Sequence, residues 1–327
     1  MVDLATHDVE TQLEQYRTEL TGYCYRMLGS SFEAEDAVQE TLVRAWRSFD
    51  SFEGRAALRS WLYRIATNVC LDMLSGRERR ALPMDFGPAQ SAQTPIGGTL
   101  PEAAWIIPAP DGRVLPSEGD PAELAVQRDT LRLAFVVALQ QLPPKQRAVL
   151  ILREVLRWKA EEVAQLLDTT VVSVNSALQR ARATIDAAKI SAGEPLEPLD
   201  ADQQEMLARY VAAFEAYDME SLTALLHEDA RQSMPPFEMW LQGRDDVLHF
   251  WFTQGSACRG SRLIPLVANG LPAFGQYKPS GPNGELEPWA LQVLNISNGR
   301  VGEFTFFLDT EQIFPLFGLP LTFPADR

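Results

Sequence analysis

Between positions 173 and 182 the chain carries Ser173, Asn175, Ser176, Gln179, Arg180 and Arg182, a set of short hydroxyls, amides and guanidiniums without a carboxylate. Amides and hydroxyls can hydrogen-bond the edges of bases in a major groove, and arginines can neutralise phosphates or read guanine. Val171, Val174, Leu178, Ala181 and Ile185 step by three and four through the same stretch, which predicts a helix with one buried stripe and this polar set opposite it. A solvated face of an ordinary amphipathic helix has the same spacing. What precedes it matters: Lys159–Leu167 reads as a shorter helix, and Asp168, Thr169 and Thr170 read as a turn ending in an N-cap. Together they form a helix-turn-helix.

Two further groups lie near the start of the chain. Ser31–Trp46 reads as a helix with Ala34, Val38, Leu42 and Ala45/Trp46 inside and Glu35, Asp36, Gln39, Glu40 and Val43 outside. Clustered carboxylates can hold a metal, meet a basic partner surface or simply solubilise a helix. No histidine stands nearby to support a metal, and none is expected. After the loop Asp50–Arg55, a helix Leu58–Leu74 has Leu58, Leu62, Ile65, Val69 and Met73 on its core side. Phe52, in the loop before that helix, reads more naturally on its own as a core phenylalanine. Arg55, Arg59, Arg64 and the Arg77, Arg79, Arg80 group are candidate phosphate contacts, or a solvated charge run.

The chain has 327 residues, room for two or three domains. Its formal charge of −15 argues against nucleic-acid binding until it is resolved along the chain. Residues 55–80 hold six arginines against Asp72 and Glu78, residues 128–189 hold ten basic side chains against six acids, and residues 191–327 hold 19 acids against eight bases. Phosphate contact needs a local basic surface, which the first two islands supply. Cys24, Cys70 and Cys258 are widely scattered without CxxC spacing, which argues against a disulfide scaffold or a zinc site and suits a reducing compartment. No apolar run is long enough for a membrane helix and the first residues lack a signal-peptide pattern, so a cytoplasmic protein without membrane association is expected.

The predicted organisation is helical over 9–80, a flexible Pro/Gly-rich linker over 81–121, helical again over 122–188, then a short linker (Ser191–Leu199) and an α+β domain over 200–327. In the last domain, helices are expected near 201–216 and 218–227, and strands over Trp289–Ile296 and Val301–Leu308 flank an Asn298-Gly299 hairpin turn. Trp105-Ile106-Ile107 inside the long linker could dock on a partner or on the protein itself.

Leu142–Leu150 followed by the helix-turn-helix to Ile185 resembles region 4 of the extracytoplasmic-function (ECF) sigma factors. Ser31–Trp46 resembles sigma region 2.2, and the Phe–Gly loop with Trp61-Leu62-Tyr63-Arg64-Ile65-Ala66 resembles the part of region 2 that opens DNA. The resemblance implies a multi-domain fold: two all-α sigma domains and a third, α+β one. Asn175, Ser176, Gln179 and Arg180, with Ser173 and Arg182 beside them, would face the −35 element. Phe52, Arg64, Ile65 and Asn68 would serve the −10 element. Asp36, Gln39, Glu40 and Val43 would pack on the clamp helices of the largest polymerase subunit, with the flap as a further contact. Ala177 stands where many relatives have arginine, which implies an altered −35 preference. Met206–Asp218, Leu225–Ala230, Gly243–Val247 and Asn298–Asp309 resemble SnoaL-like cones. Such cones enclose a cavity, for which Tyr210, Trp240, His249 and Trp251 are lining candidates, with Phe250 beside them, and His227, Asp229 and Asp309 are further polar candidates. His227, expected at a helix end, reads more naturally as structural.

Three functions are compatible with these residues. The first is a sigma factor with no catalytic residues and no cofactor, binding core RNA polymerase and promoter DNA. Its cone would regulate in cis, answering a small ligand or alongside an anti-sigma protein. The second is a SnoaL-type small-molecule enzyme or ligand sensor carrying a DNA-binding module. The third, a simple helix-turn-helix regulator, leaves the 9–80 module unexplained.

Overall fold

Amphipathic runs with ordinary caps account for most of the first half of the chain. In the computed structural model, which describes residues 4–52, 57–118, 120–187 and 201–323, they form α1 (Leu4–Glu14), α2 (Arg17–Leu28), α3 (Ser31–Arg47) and α4 (Leu58–Met73). Ser30 caps α3 by accepting the Glu33 N–H at 3.4 Å. Gly29 closes α2 in the left-handed region (φ 72°), and a Cβ there would meet Ile106 Cδ1 at 2.9 Å. The segment carrying Gly54 and Arg55 and that over 188–200 lie outside the described residues.

Two compact units result. The first contains the chain up to Arg80 and resumes at Ile106, so the two predicted helical domains form one unit. It adds α5 (Asp111–Val114), α6 (Pro121–Asp129), α7 (Leu133–Gln140), α8 (Pro144–Leu150), a π-helical turn at Ile151–Val155, α9 (Ala160–Leu166) and α10 (Val171–Ala187). Two buried arginines bind its early and late halves. Arg26 on α2 donates to the Gln127 carbonyl at 2.8 Å and to Thr130 Oγ1 at 3.1 Å. Arg147 on α8 donates to the Met27 carbonyl at the end of α2, and to Gln140 Oε1 at 2.6 Å. Gln140 Nε2 reaches the Arg26 carbonyl at 3.4 Å. The last carbonyls of α2 lack partners within their own helix and carry the negative end of its dipole, so a guanidinium is well suited to them.

The second unit contains Ala81–Trp105 and the C-terminal part of the chain. Its helices are α11 (Ala201–Ala216), α12 (Met219–Leu225), α13 (Arg244–Phe252) and α14 (Thr310–Leu316). Strands β1 (Leu226–Ser233), β2 (Trp240–Gln242), β3 (Arg262–Ala268), β4 (Leu271–Pro279), β5 (Leu286–Ser297) and β6 (Arg300–Phe307) form one sheet in the order β2-β1-β6-β5-β4-β3. Only the β1–β6 pairing is parallel among these neighbours. The β5–β6 hairpin turns on Asn298 (φ 51°) and Gly299 (φ 67°), the left-handed pair that a two-residue turn requires.

The stretch 81–121 differs from the flexible linker expected of it. Within the second unit, the Gln90 N–H donates to the Trp240 carbonyl at 2.9 Å, Trp240 Nε1 to the Gly87 carbonyl at 2.8 Å, and the Leu100 N–H to the Pro236 carbonyl at 3.0 Å. Trp105 is buried against Phe86, with ring centroids 5.2 Å apart, and its Nε1 donates to the Leu100 carbonyl. Ile106 and Ile107 are buried in the first unit, where the Ile107 N–H donates to the Gly29 carbonyl at 3.0 Å. Proline and glycine limit regular structure here to single turns, isolated bridges and the four-residue α5. Proline also fixes φ, which reduces the entropy lost when such a segment docks.

Candidate nucleic-acid interface

The helix-turn-helix forms from α9 and α10 with the expected phase. Val174, Leu178 and Ala181 are buried, with Val171 and Ile185 half-buried at either end. Asp168 takes a left-handed conformation in the turn (φ 48°), and Thr170 Oγ1 accepts the Ser173 N–H at 3.1 Å. Ser173, Asn175, Gln179, Arg180 and Arg182 are exposed and Ser176 is half-buried, so one face presents the whole polar set. Two members have internal partners: the Ser173 hydroxyl lies 3.0 Å from Thr170 Oγ1, and Arg182 pairs with Glu154 at 2.5 Å.

On α4 the buried side is Leu62, Tyr63, Ala66, Thr67, Val69 and Cys70, which rotates the core stripe from the one expected. Leu58, Ile65 and Met73 are half-buried. Trp61, Arg64, Ile65 and Asn68 follow one another at helical spacing, and Arg64 and Asn68 are exposed. The half-buried Phe52 ring lies 5.0 Å from Trp61 and 6.1 Å from Phe49. Phe49 completes an aromatic cluster that the sequence reading missed, although its three-residue distance from Phe52 was a usable signal.

The basic side chains of this module are partly committed. Arg64 donates to the Gln165 carbonyl of α9. Arg59 pairs with Glu19 at 3.0 Å, and its guanidinium carbon stands 5.5 Å from the Trp158 ring centroid. Burial pushes the Glu19 carboxyl above its ordinary range, with Arg59 opposing the shift. Arg80 is buried beside Glu33 at 3.0 Å, and Arg77 reaches the same carboxylate, so Arg80 is not the exposed phosphate contact expected. Arg79 is exposed, and Arg55 lies outside the described residues.

On α3, Asp36, Gln39 and Glu40 are exposed and Val43 is half-buried. Trp46, expected inside, is 49% exposed, because Ala45 takes the inward position in the 38, 42, 45 series. Its ring extends the stripe 36, 39/40, 43 by one further turn. Glu35 is engaged by Arg113, and Glu40 by Arg44 at 2.7 Å.

The second unit holds a cavity of about 220 Å³ that opens to solvent. Of the expected lining residues only Trp251, with its neighbour Phe250, reaches it. Tyr210 is buried behind the wall, where its hydroxyl donates to Gln292 Oε1 at 2.8 Å. Trp240 is held by Gly87, and His249 is exposed on α13. His227 and Asp229 lie on strand β1 rather than at a helix end, with the Asp229 N–H donating to His227 Nδ1 at 3.1 Å. Asp309 bonds Gln312 Nε2 at 3.0 Å beside α14. The polar lining is instead Tyr217, Gln232, Gln254, Gln276, Cys258 and Lys278. Strand alternation brings Gln232 with Met234, Gln276 with Lys278, and Phe306 with Leu308 onto one inward face.

Comparison with known proteins follows these divisions. Residues 13–80 match Sigma-70 region 2, residues 132–185 match Sigma-70, region 4, and residues 207–301 match the SnoaL-like domain. The chain is 45% identical over 318 residues to the ECF RNA polymerase sigma factor SigG of Mycobacterium tuberculosis (strain H37Rv), covering 96% of this chain and 84% of that protein. It is 32% identical over 167 residues to the ECF RNA polymerase sigma factor SigW of Bacillus subtilis, covering 51% of this chain and 81% of that protein. The crystal structure of the M. tuberculosis extracytoplasmic function sigma factor SigJ shares the fold, with a TM-score of 0.60 at 22% identity, covering 95% of this chain and 99% of that one.

Proposed function

From the premise that this chain belongs to the ECF RNA polymerase sigma factor family, we propose that it reads a −35 element with α10 and opens a −10 element with α4 and the Phe52 loop. Asn175, Ser176, Gln179 and Arg180 would meet base edges and the adjoining phosphates, while Ser173 and Arg182 hold the edge of the contact. Phe52, Arg64, Ile65 and Asn68 would receive the unstacked base, with Trp61 and Phe49 backing the ring of Phe52. Asp36, Gln39, Glu40 and Val43, joined by Trp46, would form the polymerase contact on the clamp helices. An exposed tryptophan within an acidic rim is well suited to a basic partner surface. Region 4 would contact the flap. An anti-sigma protein is a further candidate partner. Action on polymerase would place the protein in the cytoplasm, and none of its described helices is long and apolar enough to cross a membrane.

The observation that carries this reading is the stripe Trp61, Arg64/Ile65, Asn68 on α4 beside the Phe52 ring. It places an aromatic surface and an amide roughly 10 Å apart along one helix, at 1.5 Å of rise per residue. The cone is read as a cis-acting regulatory module and not an enzyme. Its lining offers amides, a thiol, the Tyr217 phenol held by the Trp251 carbonyl and one ammonium, and the candidate histidines and aspartates lie away from it. Phe52→Ala and Asn68→Ala should slow promoter opening, followed by permanganate footprinting of the −10 segment. A stacking loss of about 1–3 kcal/mol corresponds to roughly 5- to 150-fold. Binding to a −35 duplex should stay unchanged, and equal loss of both steps would contradict the assignment.

A further inference from the structure

We propose that the cavity of the second unit is a receptor site for a small aromatic acid, one or two flat rings bearing a carboxylate, with the Ile96 segment closing over it.

Size sets the first limit. A cavity of about 150 Å³ suffices for benzene, so about 220 Å³ accommodates one ring with substituents or two fused rings. The walls set the second. Phe214, Phe250, Trp251, Trp289 and Phe306 offer faces and edges to a flat molecule, and Met234 adapts to its outline.

The polar groups define the acid. Gln232 is 1% exposed, and its Oε1 accepts from Trp251 Nε1 at 2.5 Å. Its amide nitrogen donates only to the Met234 thioether, at 3.5 Å, among the described residues. A thioether is a weak acceptor, so a buried amide lining the cavity lacks a good oxygen partner. Gln276 contrasts with it. Its Oε1 accepts from Gln292 at 2.8 Å and its Nε2 donates to Ser261 at 3.0 Å, with Tyr210 securing Gln292. That relay is complete and serves the wall. Lys278 is the one charged side chain of the described lining, and its ammonium stands 3.3 Å from the Trp289 ring centroid. A carboxylate reaching Lys278 while its ring lies among the aromatics would satisfy the ammonium. An oxygen acceptor on the ligand would satisfy Gln232.

Ile96 gives the site a consequence. It lines the cavity from the 81–105 segment, which Gln254 holds through the Ala92 carbonyl at 3.0 Å and the Thr94 carbonyl at 3.2 Å. Gln254 lines the same cavity. A ligand touching Ile96 and Gln254 stabilises the docked segment by mass action, since it binds that arrangement in preference to the released one. The inference stands apart from promoter recognition, and its test needs neither polymerase nor DNA.

The test titrates the full-length chain with 2-naphthoate and, separately, with the neutral naphthalene-2-carboxamide, by calorimetry and tryptophan fluorescence. Saturable one-to-one binding of naphthoate is expected. Lys278→Met should weaken naphthoate about tenfold or more while leaving the carboxamide within about twofold. Ala257→Trp, at an exposed lining position, should block both. Bound naphthoate should slow amide exchange across residues 90–97. Unchanged thermal midpoints would show that both variants fold. Absence of saturable naphthoate binding at millimolar concentration would overturn the proposal. Binding indifferent to Ala257→Trp, equal loss of both ligands in Lys278→Met, or unaltered exchange at 90–97 would overturn it as well.

Discussion

Arg147 is the side chain whose removal should cost the first unit most for its size. Burial pulls its guanidinium down to about 10, a penalty of about 3 kcal/mol at 1.36 kcal/mol per pH unit. Against this, Arg147 donates to the Met27 carbonyl, to Gln140 Oε1 at 2.6 Å, and to the Gln140 and Leu142 carbonyls, both at 3.1 Å. Four charge-assisted bonds at about 1.5 kcal/mol each contribute about 6 kcal/mol. The difference leaves about 3 kcal/mol in favour of the native arginine. Arg147→Met keeps the length of the side chain and removes penalty and bonds together, leaving four acceptors without their donor. Native-state amide exchange in the full-length chain reads the first unit separately from the second. The α2 and α8 amides that exchange by opening of that unit should do so roughly 100-fold faster, which corresponds to about 3 kcal/mol. Arg147→Lys should lose most of the same stability, because a point charge cannot span four acceptors. A loss below about 1 kcal/mol in Arg147→Met would refute the claim that this guanidinium joins α8 to the end of α2.

Two other outcomes follow from charge. Burial raises the Glu303 carboxyl above its ordinary range, with Arg231 opposing the shift. An acid whose folded pKa is raised contributes stability below its unfolded pKa and loses it as pH rises through the folded value. Glu303→Gln should therefore raise the thermal midpoint at pH 7 and leave it unchanged at pH 3.5; a lower midpoint at pH 7 would refute this. At the proposed polymerase contact on α3, Asp36→Arg with Glu40→Arg should weaken capture of core polymerase at least tenfold in a pull-down at fixed salt. Binding of a −35 duplex should be unaffected, and unchanged capture would remove α3 from that contact.

Periodic features were legible in the sequence because they rest on contacts close along the chain. The 174, 178, 181 stripe, the Thr170 cap and the Asn298-Gly299 turn are all of this kind. The 81–121 stretch was not legible, because proline and glycine content reports backbone freedom and says nothing of distant partners. Gln254 and Thr94 are 160 residues apart, yet they bond. Trp46 was misplaced by one helical position, 100° around α3, enough to carry an indole from core to solvent. The exposed polar sets of α3, α4 and α10 could be derived because each occupies a single helix. The cavity could not, since its walls come from strands whose inward phase depends on sheet pairing. Gln232, Gln276 and Lys278 look like ordinary polar strand residues until β1, β4 and β6 are assembled.

As an ECF sigma factor, the chain gives core polymerase its promoter. Run-off transcription with purified core enzyme, the full-length chain and a template selected for α10 binding tests it directly. A discrete transcript is expected that requires the chain, disappears when the −35 segment is scrambled, and falls sharply with Gln179→Ala at unchanged core binding. Failure of the chain to bind core polymerase, or the same transcript level from a scrambled −35 segment, would contradict it.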